Sequence, residues 1–379
     1  MNTLFLITLE YPPSIGGVGA YYHGLAQALG SDRITVLASD YRSQKDTDSS
    51  ITVIRKKLLA TRGPFRWWRC LWATARALRS HPSRYLGVGQ LLPIGIVALL
   101  FYFFQHKRFI VFCHGMDILQ ACSHWRKKII ASWVMQKSSL IVVNSQSTLS
   151  LVREYFHIPS HRCIVVYPCA DVEPVNTFRF EERPTILSVA RLVARKGIDR
   201  VILALPQILL KVPSAQYVVV GDGPERSALT RLAQTTNFFD TDIGAFRSVL
   251  DAGRVRFLGA LDRVSVLEWY QSCDVFALPV SASSDDIEGF GIVFLEAAAF
   301  EKPVVAGNSG GAVEAVLDQE TGIVVDPENR GALADSISHL LLHPDERKRL
   351  GAQARARVMK DFRWEHQARM LIEALEGEE

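Results

Sequence analysis

The 379-residue sequence predicts an α/β chain of two Rossmann-like domains, each built on a doubly wound parallel sheet. Three observations carry that expectation. Apolar runs alternate with helix-like segments along the whole chain, the strand–helix–strand order of a parallel sheet. The runs are continuous and β-branched, as strands covered by helices on both faces require. The series is interrupted once, by the polar, proline-marked stretch DVEPVNTFRFEERP, and the length suits two cores better than one. The boundaries fall at 1–170 and 184–360, with a linker at 171–183. A C-terminal helix at 361–379 is placed where it can pack back on the N-terminal domain.

Taken in order, the strand candidates of the first half are Leu4–Leu9, Ile34–Ala38, Phe109–Cys113, Leu140–Val143 and Cys163–Val166. Those of the second are Thr185–Ser188, Tyr217–Val220, Val255–Phe257, Val275–Leu278, Pro303–Ala306 and Gly322–Val325. MNTLFLITLE lacks a basic leader region and its apolar run is short. It therefore reads as the first buried strand rather than as a signal peptide. Two such domains place the carboxyl ends of their strands at ligand-binding edges, and a shared cleft is the expected arrangement.

Composition is that of an ordinary folded protein, 48% hydrophobic and 22% charged. The six cysteines make no CxxC pair and no zinc-like spacing, so reduced thiols and a cytoplasmic setting are expected. The net charge of +4 conceals an asymmetry. Residues 1–176 carry 20 Lys+Arg against 9 Asp+Glu, whereas residues 177–379 carry 23 against 30. A basic first half implies an anionic partner for that domain.

After the first strand, Gly16, Gly17 and Gly19 precede an amphipathic helix, an arrangement that lets backbone amides approach a phosphate or a sugar. A simple turn before a helix explains the same residues. A dinucleotide fingerprint fails here, because Tyr22 stands where its third glycine is needed. His114 ends the third strand candidate in FIVFCHGMD, with Asp117 close behind. A neutral histidine there suits a hydrogen bond to a hydroxyl, and a satisfied core histidine is the competing reading.

In the second half, Arg191 and Lys196 follow the first strand in SVARLVARKGIDR, with Gly197 leading into a helix. Two cations at a strand end suit a leaving diphosphate. Gly221 and Asp222, in GDGPER, follow the next strand and read either as ligand contacts or as a turn. In EGFGIVFLE, Glu288 and Glu296 are eight residues apart, and on one helix they would diverge by roughly 80°. Gly289 and Gly291 instead place Glu288 in a loop and Glu296 on the following helix. The amides around Phe290, Gly291, Ile292 and Val293 then lie between the two carboxylates. That geometry suits an anionic ligand with hydroxyl groups at both ends.

In order along the chain, GGVG, HGMD, VNSQST, YPCAD, ARLVARKGID, GDGPER, RVRFLG, CDVFALP, EGFGIVFLE and NSGG resemble the family 4 retaining glycosyltransferases of the GT-B fold. Any one of these motifs is common, and ten in order are specific. The resemblance implies that Arg191 and Lys196 neutralise the diphosphate of a nucleotide sugar. It implies that Glu288 bonds the donor sugar and Glu296 the ribose hydroxyls, and that His114 contacts the transferred sugar. Gly16 and Gly17 would let the N-terminal domain close on the phosphates, and no metal would be needed. DIEGFGIVFLEA, GNSGGAVEAV and RLVARKGID are similar to phosphatidylinositol mannosyltransferases and related lipid-linked mannosyltransferases, which implies GDP-mannose as donor and a lipid-linked or glycan acceptor. A nucleotide-sugar epimerase and a non-catalytic sugar-nucleotide sensor remain alternatives. Two departures stand out: Cys169 and Ala170 replace the family's common Asn-Gly, and the segment at 234–253 is long.

The stretch RGPFRWWRCLWATARALRS interleaves Trp67, Trp68 and Trp72 with Arg62, Arg66, Arg69, Arg76 and Arg79. Such a helix can lie on an anionic bilayer at its inner face, or pack on the sheet with its arginines in solvent. The apolar run at 91–104 is shorter than the roughly 20 residues that span a bilayer. No nucleic-acid-binding motif accompanies the basic charge.

Overall fold

The computed structural model describes residues 2–14, 16–40, 50–61, 65–170, 172, 183–240, 245–283 and 286–377. They form two compact units, Met1–Cys169 with Phe362–Glu379, and Ala170–Asp361. Of the expected linker, residues 171 and 173–182 lie outside the described residues.

In the first unit the strands are β1 (Asn2–Thr8), β2 (Ile34–Ser39), β3 (Thr52–Lys56), β4 (Ser83–Val88), β5 (Phe109–Cys113), β6 (Leu140–Val143) and β7 (Cys163–Val165). They form a parallel sheet in the order β3-β2-β1-β4-β5-β6-β7. Its helices are α1 (Gly17–Leu29), α2 (Trp68–Ser80), α3 (Ile94–Gln105), α4 (Met116–Cys122), α5 (Trp125–Lys137) and α6 (Gln146–Phe156). Two strands escaped the sequence pattern. In β3, TVIRK, half-exposed positions and charged Arg55 and Lys56 suit an edge strand and dilute its apolar signal. In β4, SRYLGV is too short an apolar run to announce itself, and burial by both neighbours makes it a strand.

The second unit contains β8 (Thr185–Val189), β9 (Gln216–Val220), β10 (Asn237–Asp240), β11 (Ala245–Ser248), β12 (Val255–Gly259), β13 (Val275–Leu278), β14 (Val304–Gly307) and β15 (Gly322–Val325). Six of these form a sheet in the order β12-β9-β8-β13-β14-β15. The long segment at 234–253 contains the remaining pair, β10 and β11, as a separate antiparallel ribbon. The helices are α7 (Ile198–Lys211), α8 (Arg226–Thr235), α9 (Arg263–Ser272), α10 (Ile292–Ala299), α11 (Ala312–Ala315), α12 (Arg330–Leu342) and α13 (Pro344–Asp361).

A last helix, α14 (Trp364–Glu376), belongs to the first unit and packs on α1. A side chain cannot fit between them at Gly24, where a Cβ would lie 2.2 Å from Trp364 Nε1. Trp364 meets the Tyr21 ring edge-on at 5.4 Å, and Gln367 Oε1 accepts the Tyr167 N–H at 2.8 Å.

In both sheets the strand order reverses beside the unit's first strand, at β1/β4 and at β8/β13. At such a reversal, the connections leave in opposite directions and open a crevice at the carboxyl ends of the strands.

Candidate functional site

In the second unit, the loops leaving β8, β9, β13 and β14 are drawn together by glycines that admit no side chain. At Gly221, with φ +127°, a Cβ would lie 1.9 Å from Ala190 O. This close approach lets Ala190 N–H reach Val220 O and Leu192 N–H reach Asp222 O. Asp222 is exposed, and its carboxylate accepts the Gly223 N–H at 2.7 Å, so its visible work is to shape the turn. At Gly310 and Gly311 a Cβ would sit 2.3 Å from the carbonyls of Glu288 and Gly289 respectively. The Gly311 N–H donates to Glu288 O at 3.0 Å, so the NSGG loop holds the Glu288 loop from behind.

Glu288 is 8% exposed. Its Oε2 accepts from Lys196 Nζ and Arg195 Nη1, both at 2.5 Å. Burial pushes the Glu288 carboxyl up, but Lys196 and then Arg195 outweigh it by charge and hydrogen bonding, and hold the group below the ordinary glutamate range. Arg195 Nε also stands 2.7 Å from Asp286 Oδ1, an ion pair whose angles do not make it a hydrogen bond. Glu288 Oε1 has no side-chain partner among the described residues. Arg191 is exposed, and no side-chain bond engages it among the described residues. The two cations singled out in the sequence therefore differ. Lys196 is buried and paired, whereas Arg191 faces solvent.

Glu296 sits on α10, as the glycine-marked loop predicts. Its Oε1 accepts from Arg263 Nη1 at 2.5 Å and its Oε2 from the Tyr270 hydroxyl at 2.9 Å. Burial, reinforced by the Glu296 charge, holds the Tyr270 phenol well above its usual range, so it remains a neutral donor. Gly291 precedes α10 in the left-handed region with φ +90°, where a Cβ would meet the Phe294 ring at 2.5 Å. Phe294 N–H is taken by Gly291 O, and Phe290 is buried beneath the loop. The amides of Ile292 and Val293 open the helix without a backbone partner among the described residues.

In the first unit, His114 follows β5. Its backbone N–H donates to Asp117 Oδ1 at 2.9 Å, and its Nε2 lies 2.8 Å from the Tyr22 hydroxyl. Burial lowers the His114 pKa to about 4 and raises that of Asp117 to about 6. Gly16 precedes α1 in extended backbone and Gly17 opens it. Packing inside the chain does not require glycine at either, since a Cβ on Gly17 meets nothing within 4 Å and one on Gly16 makes only an ordinary 3.5 Å contact.

The same unit has a surface of mixed aromatic and basic character. On α2, Cys70, Thr74 and Ala77 face the core, and Trp72 is 69% exposed. Trp67 packs against the core, whereas Trp68 and Trp72 are exposed. The apolar run of α3 is buried as far as Phe101, and Phe103 and Phe104 emerge at its end. Helix α3 contacts both α2 and α5. On α5, Trp125 and Trp133 are 68% and 60% exposed beside Arg126, Lys127 and Lys128. Between Asp48 and Glu154 every charged residue is lysine or arginine except Asp117, which lies at the base of the His114 loop. Among the described residues, no helix is long and apolar enough to cross a membrane.

Sequence reasoning overlooked Arg195, Arg263, Tyr270 and Tyr22. Arg195 was legible as the neighbour of Lys196 in a strand-end turn. Arg263 and Tyr270 are distant from Glu296 in sequence, and only the packing of α9 beside α10 brings them to it. Among the described residues, no group of three or more His, Cys, Asp or Glu side chains is arranged to hold a metal ion.

Comparison with known proteins identifies the family and the fold. Residues 15–174 match the family model described as Glycosyltransferase Family 4, and residues 183–343 match Glycosyl transferases group 1. The chain is 29% identical to a GDP-mannose-dependent alpha-(1-6)-phosphatidylinositol monomannoside mannosyltransferase of Mycobacterium tuberculosis, across 100% of this chain and 99% of that protein. It is 28% identical to a GDP-mannose-dependent monoacylated alpha-(1-6)-phosphatidylinositol monomannoside mannosyltransferase of Corynebacterium glutamicum, across 98% and 97%. A sucrose-phosphate synthase from Thermosynechococcus elongatus shares the fold, with a TM-score of 0.80 at 20% identity over 100% of this chain and 99% of that one.

Proposed function

We propose, from the premise that this chain belongs to the glycosyltransferases of family 4 and group 1 and has their GT-B fold, that it transfers mannose from GDP-mannose to a lipid-linked or glycan acceptor. The observation that carries the donor and acceptor is the alignment, over essentially the full length of both chains, with mannosyltransferases whose names specify GDP-mannose and phosphatidylinositol mannosides. The geometry supports the same reading. Glu288 has one carboxylate oxygen held by Arg195 and Lys196, which leaves Oε1 to accept from a sugar hydroxyl. Lys196 and Arg191 would meet the diphosphate as its negative charge grows, the point at which a fixed cation lowers the barrier. Glu296, held by Arg263 and Tyr270, would take the ribose hydroxyls, and the Ile292 and Val293 amides would meet phosphate or sugar oxygens. Gly221 and Asp222 shape the loop beside them, and Gly16 and Gly17 leave backbone amides open to a phosphate.

In the reaction proposed, a bond between the anomeric carbon and the acceptor hydroxyl oxygen replaces the bond between the anomeric carbon and the diphosphate oxygen, with retention of configuration. The leaving diphosphate carries away the bonding electrons, and its oxygen can take the hydroxyl proton. Charge neutralisation falls to Lys196 and Arg191, with no metal required. The basic, tryptophan-bearing face of α2 and α5 would hold the enzyme peripherally on an anionic membrane at its cytoplasmic side, where a lipid-linked acceptor resides.

A thermal-shift panel of GDP-mannose, UDP-glucose, UDP-galactose, UDP-N-acetylglucosamine and NAD(H) tests the donor, since a ligand of the native state raises its apparent stability. GDP-mannose alone is expected to stabilise the protein, and Arg191→Ala to abolish the shift. Stabilisation by NAD(H) only, or by a UDP-sugar only, would overturn the assignment. Mannosyl transfer to a phosphatidylinositol-type acceptor then separates a transferase from an epimerase, which needs no acceptor.

A further inference from the structure

Tyr22 is the residue that breaks the dinucleotide fingerprint, and the structure gives it another connection. Its hydroxyl lies 2.6 Å from Gly89 O and 2.8 Å from His114 Nε2. A phenol has one hydrogen to donate, and a carbonyl can only accept. The hydrogen must therefore point at Gly89 O. Nε2 then faces lone pairs on the Tyr22 oxygen, and the contact is a hydrogen bond only when Nε2 itself carries a hydrogen. In a neutral imidazole this leaves Nδ1 as the unprotonated, accepting nitrogen.

Each link of this chain is held in place. Gly89 follows β4 at the reversal of strand order, and its N–H donates to Ile7 O on β1 at 2.8 Å. A Cβ at Gly89 would lie 2.7 Å from that same oxygen, so glycine is required for the approach that aims its carbonyl at Tyr22. Tyr22 is fully buried, and burial holds its phenol well above the usual range. The rings of Tyr21 and Tyr22 meet the imidazole edge-on at 5.0 and 5.3 Å and limit its rotation. Burial keeps the imidazole neutral near pH 7. Nδ1 makes no hydrogen bond among the described residues.

We propose that Tyr22 is a positioning residue that fixes His114 as the Nε2–H tautomer, so that Nδ1 can only accept a hydrogen bond from a hydroxyl of the transferred sugar. The hydroxyl half of this inference rests on the glycosyl-transfer reading above; the tautomer half stands without it.

The test is a long-range ¹H–¹⁵N correlation spectrum of the full-length ¹⁵N-labelled protein at pH 7.5, with the His114 signals identified by their loss in His114→Gln. The expected wild-type pattern has a protonated, pyrrole-type Nε2 and a pyridine-type Nδ1. In Tyr22→Phe the two nitrogen shifts are expected to move towards each other as the second tautomer becomes populated. Turnover with GDP-mannose should fall about tenfold in kcat with a smaller change in KM, the signature of a misaligned rather than an absent contact. A wild-type Nδ1–H tautomer, an even mixture, or unchanged shifts in Tyr22→Phe would overturn the proposal. The wild-type spectrum decides the tautomer even if the variant fails to fold. It needs no substrate, so absence of sugar transfer would count against the enzyme reading and not against Tyr22.

Discussion

Lys196 Nζ stands 2.5 Å from Glu288 Oε2, and this buried contact ties the turn after β8 to the loop after β13 across the strand-order reversal. Removing one partner of a buried pair leaves an uncompensated charge, which typically costs ~3–5 kcal/mol. Arg195 shares the same oxygen, so Lys196→Ala should lose less, about 2 kcal/mol by urea unfolding. Its turnover should fall by at least about 100-fold, because a cation aimed at developing charge is lost. Wild-type turnover in Lys196→Ala would remove it from the site.

The same carboxylate gives a pH signature. Its folded pKa is depressed below the ordinary 4.5, so its stabilising contribution is complete above that value and fades as pH falls through the folded pKa. Urea unfolding of wild type and Glu288→Gln should therefore differ most near neutrality and converge in acid. A gap that widens on acidification would contradict the pairing.

His114 has the opposite chemistry and the same direction of pH dependence. Its folded pKa of about 4 lies below the ordinary 6.5, so the folded state resists protonation and stability declines as pH falls between those values. His114→Gln should lack that part of the slope. Identical slopes in both proteins would show that His114 is not held neutral.

Tyr270 touches Glu296 and is buried with it. Tyr270→Phe removes one hydrogen bond to a carboxylate and should destabilise the fold by about 1.5–3 kcal/mol. With Glu296 less firmly held, GDP-mannose affinity measured by calorimetry should weaken about tenfold, equivalent to ~1.4 kcal/mol. Unchanged affinity would separate Glu296 from donor binding.

The exposed tryptophans of α2 and α5 should partition into anionic vesicles. Trp72→Ala with Trp133→Ala should reduce co-sedimentation with phosphatidylglycerol-containing vesicles. Raising the salt should weaken the wild type by screening the lysines and arginines. Equal binding to neutral and anionic vesicles would exclude the electrostatic part of this reading.

Much of the fold class was legible because parallel strands buried on both faces write themselves as continuous apolar runs, as in FIVFC of β5 and VFAL of β13. Glu288 and Glu296 were separable into loop and helix because Gly289 and Gly291 mark the turn. Less was legible where the signal is a compromise with the environment. Strand β3 carries edge charges, and the β10–β11 ribbon falls in a segment with no clear period.

What the sequence by itself determined was local: most of the strands buried on both faces, and which charged residues lie at strand ends. Tertiary structure alone decided who meets whom. Arg263 and Tyr270 reach Glu296 because α9 packs near α10, and the Tyr22 hydroxyl on α1 meets Gly89 and His114, the residues that follow β4 and β5. The helix of the N-terminal domain that receives α14 was equally hidden, since Gly24 and Trp364 are far apart in the chain and only their steric fit identifies them. The physical reason is common to all three. Periodicity encodes how a segment buries its own face, whereas a contact between distant segments depends on shapes that exist only once both have folded.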